Sequence, residues 1–179
     1  MKITLIRHAK VLFEWRSMYN SKSFDLACHQ YDTSPVEEPE DHAFNEKYIY
    51  LSTLKRTEDT VNQLSSKKII IKTELLNEVP LSSFTDTSIK LPTIFWLIIG
   101  RIQWFFNHSR QKEGRKSSIQ KINLFLDTVL RKKQDCIVVG HGFYFAQMIT
   151  EMKKRNFIGD MRKRINNNES RVFYIKPKY

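Results

Sequence analysis

An arginine and a histidine adjoin at Arg7-His8, directly after the apolar run Ile3-Thr4-Leu5-Ile6. Such a run reads as a short buried strand, and a strand hands the next residues to its carboxyl end, where open α/β sheets place their ligand sites. A second histidine arrives in the same way, since Cys136-Ile137-Val138-Val139 reads as a strand and Gly140-His141-Gly142 comes directly after it. The stretch Leu51-Ser52-Thr53-Leu54-Lys55-Arg56-Thr57 runs from a strand end into a helix. It would bring the Arg56 guanidinium and the free amides of a helix amino terminus to the same side of the sheet. Guanidinium groups hold phosphoryl oxygens bidentately. A neutral imidazole can attack phosphorus, and nearby arginines favour neutrality because like charge disfavours the imidazolium. Flanking glycines let the backbone at His141 approach a bound anion closely. Two strand-end histidines with two arginines point to chemistry on a phosphate.

The elements that must position these groups are legible in outline. Strands are expected at residues 3–6, 48–51, 69–71, 137–139 and 172–175, and the first four read as buried on both faces of a parallel sheet. Helical patterns lie between them. Leu54, Val61 and Leu64 share a face after the possible caps Ser52 and Thr53. Ile119, Ile122, Leu126 and Val129 form an amphipathic stripe opened by Ser117 and Ser118, and a third helix starts near Gly142 and buries Phe145, Ala146 and Ile149. Strands alternating with helices imply right-handed crossovers and a three-layer α/β/α sandwich with a mostly parallel sheet. Two insertions interrupt the alternation. Residues 13–46, with aromatics and the acidic cluster Glu37, Glu38, Glu40 and Asp41, are expected to form a helix plus loops beside the site. Residues 84–116 are expected to form a helix or helix pair over the pocket, where such insertions commonly set substrate choice.

A chain of 179 residues accommodates one domain with a substantial core, taken as residues 1–179. The first residues lack the layout of a signal peptide. The longest apolar stretch, residues 94–99, ends at Gly100 and Arg101 and falls far short of the ~20 residues a membrane span needs, so no membrane partner is expected. The two cysteines, Cys28 and Cys136, have no metal-ligand spacing, no metal or cofactor is expected, and a reduced, cytoplasmic setting is the default. Net charge is +11, concentrated after residue 100, which suits anionic partners such as phosphorylated metabolites, phosphoproteins, nucleic acid or a membrane surface. No zinc-finger, RRM or helix-turn-helix signature accompanies that charge, so nucleic acid is not the expected partner. The sequence sets no oligomeric state.

Together the motifs resemble those of the histidine phosphatase superfamily, the phosphoglycerate-mutase-like enzymes. The opening strand with Arg7-His8 is similar to the first family motif, Ser52-Thr53-Leu54-Lys55-Arg56-Thr57-Glu58-Asp59-Thr60 to the second, and Val138-Val139-Gly140-His141-Gly142 to the third. Leu76-Asn77-Glu78 stands where many members carry an acidic proton donor. The resemblance implies a phosphoglycerate-mutase-like fold and a metal-independent phosphatase acting on a small phosphorylated molecule. By it, His8 is the nucleophile that forms a phosphohistidine. Arg7, Arg56 and His141 bind the transferring group, and Glu78 protonates the leaving oxygen.

The sequence also departs from the commonest family pattern. Ala9 replaces the usual glycine of the first motif, and Lys10-Val11-Leu12 stands where a hydroxyl and an asparagine are frequent. The missing polar residues weigh against a phosphoglycerate-type mutase, which must hold a second phosphorylated ligand; Lys10 is a candidate extra phosphate contact. A phosphohistidine-protein phosphatase and a non-catalytic phosphate-binding scaffold are the other readings. The first of these needs an open groove.

Overall fold

A computed structural model of the chain describes residues 1–39, 45–62 and 68–175. A six-stranded sheet forms its centre: β1 (Lys2–Arg7), β3 (Tyr48–Leu51), β4 (Ile69–Lys72), β6 (Cys136–Gly140), β7 (Phe157–Gly159) and β8 (Ser170–Ile175). The spatial order is β4-β3-β6-β1-β8-β7, with β1, β3, β4 and β6 parallel and β8 antiparallel to both β1 and β7. Among the described residues five helices accompany it: α1 (Ser21–Thr33), α2 (Lys55–Val61), α3 (Thr93–Phe105), α4 (Arg115–Lys132) and α5 (Gly142–Lys154). A two-residue ribbon, β2 (Met18–Tyr19) with β5 (Leu91–Pro92), ties the two insertions together.

Alternation along the strands fixes the layers. Ile3, Leu5 and Val138 pack on Ile122, Phe125 and Leu126 of α4 and on Phe145, Met148 and Ile149 of α5. Ile6, Ile49, Ile137 and Val139 point the other way and join Val61 of α2. A separate cluster, Tyr19, Phe24, Ala27 and Trp96, glues α1 to α3 beyond the sheet. The fold is the expected three-layer α/β/α sandwich. Because β1, β3 and β6 are parallel, Arg7-His8, Ser52 and His141 all leave the sheet at one edge.

Four local expectations need correction. β4 is an edge strand rather than one covered on both faces, and Ile69 and Ile70 are exposed because β3 is its only neighbour among the described strands. α2 begins at Lys55 behind Leu54, since the Ser52 hydroxyl is spent on His141, and Leu64 lies outside the described residues, as do Glu40 and Asp41. α4 starts at Arg115, so Ser117 sits in its first turn and accepts from Gly114 N. β7 has no counterpart among the expected strands; its two apolar residues come after Asn156 at φ 61°, and Gly159 at φ 153° ends it.

Candidate active site

Arg7 ends β1, and its Nη1 donates to Ile165 O at 2.9 Å. Its Nε is buried and has no hydrogen-bond partner, an orphan donor that costs free energy until an acceptor arrives. A Cβ on Gly142 would come within 2.9 Å of that Nε and of Cζ, so a glycine there is what lets the guanidinium lie against the start of α5.

His8 is next along the chain, 2% exposed, and its Nδ1 lies 2.6 Å from Ala9 O. The carbonyl is an acceptor only, which assigns the proton to Nδ1 and leaves the Nε2 lone pair for the cavity that His8 lines. Burial first, then the charge of Arg56 and, more weakly, of Arg7, pulls the His8 pKa down to about 3 against the opposing pull of the Ala9 carbonyl. Ala9 has no positive φ and donates its amide to Thr60 Oγ1 of α2 at 3.0 Å. Asn167 holds His8 O from the loop before β8.

His141 lies behind His8, with ring centroids 5.1 Å apart. Arg56 Nε donates to its Nδ1 at 3.1 Å, so Nε2 carries the proton and donates to Ser52 Oγ at 2.8 Å. Ser52 Oγ in turn meets Thr57 Oγ1 at 2.9 Å, and Thr57 Oγ1 can donate to Ser52 O or Leu54 O. Every polar atom of this buried chain is satisfied when His141 is neutral. Burial, then Arg56, His8 and Arg7, hold its pKa well below the ordinary histidine value. Among the amides entering α2, Thr53 N goes to Asn77 Oδ1 and Leu54 N to Ser52 Oγ, so these two do not face an anion as the helix-terminus reading expected.

Both histidines are therefore uncharged when folded and charge on unfolding. Below about pH 6.5 the unfolded chain binds more protons, so stability should fall with acidification by up to about 1.4 kcal/mol per pH unit for each ring. For His8 the effect ends near its folded pKa of about 3. Urea midpoints between pH 7.5 and 5 in phosphate-free buffer test this. His141→Asn should flatten the slope, and an unchanged slope would contradict the neutral pair.

Glu78 lies after the 3₁₀ turn Glu74–Leu76 and reaches the amino end of α5. Its Oε1 accepts from Val79 N at 2.9 Å and Tyr144 N at 3.0 Å, and Oε2 accepts from Phe143 N at a longer 3.3 Å. Oε2 is thus the oxygen with room for a proton. Arg7, His8, Arg56 and Glu78 line one cavity of about 580 Å³, while His141 is fully buried behind them against Arg56. Lys10 is the candidate that the structure does not bring there; its ammonium is exposed and pairs with Glu37 at 2.7 Å.

Several lining residues are not evident from the sequence motifs. Asp32 of α1 takes Arg56 Nη1 at 2.7 Å, and the Tyr31 ring lies 5.4 Å from the same guanidinium. The signal was present: Phe24, Ala27, Cys28, Tyr31 and Asp32 fall at helical spacing, which puts the last three beside the buried pair. From α3, Arg101 lines the opposite wall, stacks on Phe143 and donates to Val79 O at 3.1 Å. Among the described residues no group of three or more His, Cys, Asp or Glu is placed to hold a metal ion, and no helix is long and apolar enough to cross a membrane.

No protein-family model matches the sequence, and no curated protein matches it. Solved structures do match. The α-ribazole phosphatase from Shigella flexneri aligns with TM-score 0.58 and 12% identity over 96% of this chain and 89% of its own. Phosphoserine phosphatase from Entamoeba histolytica aligns with TM-score 0.54 and 16% identity over 97% and 90%. A mycobacterial glucosyl-3-phosphoglycerate phosphatase aligns with TM-score 0.56 and 14% identity over 86% and 79%. At these identities the likeness is one of fold, the phosphoglycerate-mutase-like fold that the motifs imply.

Proposed function

We propose that this chain, which has the histidine phosphatase fold, is a phosphatase that hydrolyses a small phosphomonoester through a phosphohistidine on His8, without a metal or cofactor. The observation that carries this reading is the state of His8. Its neutral ring has Nδ1 tied to Ala9 O and the lone pair of Nε2 left over, in a cavity also lined by Arg7, whose Nε has no partner. Nε2 attacks phosphorus, the bond to the ester oxygen breaks, and Glu78 Oε2 passes its proton to the departing alkoxide. Water then attacks phosphorus, Glu78 takes a proton from it, the bond from phosphorus to His8 Nε2 breaks with its electron pair returning to the ring, and inorganic phosphate leaves. Arg7 and Arg56 compensate the charge that develops on the equatorial oxygens, and His141 orients Arg56.

The cavity supports a small substrate. Its volume, about 580 Å³, is that of a small-molecule site, and α1 and α3 wall it in, which disfavours a protein-borne phosphohistidine. The similar solved structures are phosphatases of α-ribazole, phosphoserine and glucosyl-3-phosphoglycerate by name, all small molecules, which accords with the same class. A reducing cytoplasm suits the two free thiols. Incubation with p-nitrophenyl phosphate tests the proposal. Hydrolysis should be indifferent to a chelator and blocked by vanadate, which imitates the five-coordinate phosphorus. Absence of turnover across a broad phosphomonoester panel, with phosphate still bound, would replace the enzyme by a phosphate-binding scaffold.

A further inference from the structure

α3 is apolar around most of its circumference, yet only half of it is covered. Trp96, Gly100 and Trp104 face inward, with the two indole N–H groups on Tyr19 O and Ser118 Oγ. Outward, Ile94, Phe95, Ile98, Ile102 and Phe105 run along one face and Phe106 continues it, each between 47% and 73% exposed. Steps of one, three, four and three residues make a continuous stripe, about 20 Å long on a helix of 13 residues. A helix this apolar normally has a buried or lipid environment on every side, and a contiguous exposed patch of this kind marks an interaction surface.

The rim of the stripe is cationic. Arg16 and Lys90 lie at its amino end, and Arg115 and Lys116 at its carboxyl end; all four are exposed and none is in an ion pair among the described residues. Thr93 binds Arg16 O and Ser17 O, Asn107 Oδ1 accepts from Lys116 N, and the Arg115 guanidinium lies 4.6 Å from the Phe105 ring. From Thr87 to Lys112 the sequence contains no acidic residue, and Glu113 just beyond is already paired with Lys121. A second copy related by a two-fold axis would press these cationic ends onto one another, which like charge disfavours. A ridge with basic residues at both ends and no groove matches a flat anionic surface.

We infer that the outward face of α3 is a docking surface for an anionic lipid bilayer, with the helix lying in the interface and Arg16, Lys90, Arg115 and Lys116 on lipid phosphates. This inference departs from the expectation that no membrane is a partner, which rested on the lack of a segment long enough to span one; the same apolar segment serves here as an interfacial anchor. Leu97 and Arg101, on the adjoining row of α3, line the cavity, so the docked face would bring that wall of the site near the headgroups.

Co-sedimentation of the full chain with phosphatidylcholine vesicles, with and without phosphatidylglycerol, tests this. The protein should pellet only with the anionic vesicles and be released by high salt. Ile98→Gln/Ile102→Gln should weaken partition at least about tenfold. Arg115→Glu/Lys116→Glu should weaken it at least about 25-fold, at roughly 1 kcal/mol per basic residue. Both pairs are exposed, and thermal unfolding of each variant should match the parent. Failure of the parent protein to pellet with anionic vesicles overturns the inference, as does equal pelleting by folded variants. A dimer by light scattering that Ile98→Gln/Ile102→Gln converts to monomer, without vesicle binding by the parent, assigns the face to a second copy instead.

Discussion

Replacing His8 by alanine should lower turnover of p-nitrophenyl phosphate by at least about 10⁴-fold, because the group that forms the covalent intermediate is gone. Inorganic phosphate should still bind within about tenfold of the parent affinity, measured by calorimetry, since Arg7 and Arg56 remain in place. The dissociation of the two effects is what identifies a nucleophile. The truncation also removes a buried neutral ring and its bond to Ala9 O, so some stability goes with it. His8→Asn, which can keep a donor near that carbonyl, should lose turnover equally while unfolding closer to the parent. Retained turnover in either folded variant would mean that another group attacks phosphorus.

Glu78→Gln should cost about 10²–10⁴-fold in turnover on alkyl phosphates, the range expected of a positioned general acid. The loss should be much smaller on p-nitrophenyl phosphate, whose leaving phenolate needs no proton. The geometry limits the structural side effect. A glutamine carbonyl can replace Oε1 between Val79 N and Tyr144 N, whereas its amide nitrogen would face Phe143 N, already the longest of the three contacts. One weak bond is lost, worth about 1 kcal/mol. Equal activity of the variant on alkyl and nitrophenyl substrates would move the acid elsewhere, and Asp32 on Arg56 would be the next group to replace.

The strand-end residues were legible in the sequence because short apolar runs locate strands, and parallel strands deliver the residues at their carboxyl ends to one edge of the sheet. Arg7, His8, Arg56 and His141 were found in this way, whereas Glu78 came only from the family resemblance; Arg7, His8, Arg56 and Glu78 line one cavity, and His141 meets Arg56 directly behind it. Residues brought in by the insertions were not. Asp32 and Tyr31 reach Arg56 through the rotation of α1, which is set by contacts between segments far apart in the sequence, such as Phe24 on Trp96 and Asp25 on Ser83. Lys10 stands so close to the first motif that phosphate contact was a natural expectation, yet its ammonium is exposed and pairs with Glu37. The role of Ser52 as acceptor for His141 rather than as a helix cap was equally hidden, since both use the same hydroxyl. The apolar run in α3 was visible from composition, but which half of it faces solvent depends on where Trp96 and Trp104 are buried.

Turnover by the proposed route requires a covalent bond between His8 and phosphorus. The direct measurement is alkaline rapid quench of the enzyme during turnover of a phosphomonoester, with peptide mapping by mass spectrometry. One phosphoryl group should appear on the peptide containing His8, stable to base and lost in acid, and it should be chased to inorganic phosphate when substrate is removed. Steady turnover with no phosphoryl group on His8 at any quench time, or with the group on a different residue, would contradict it.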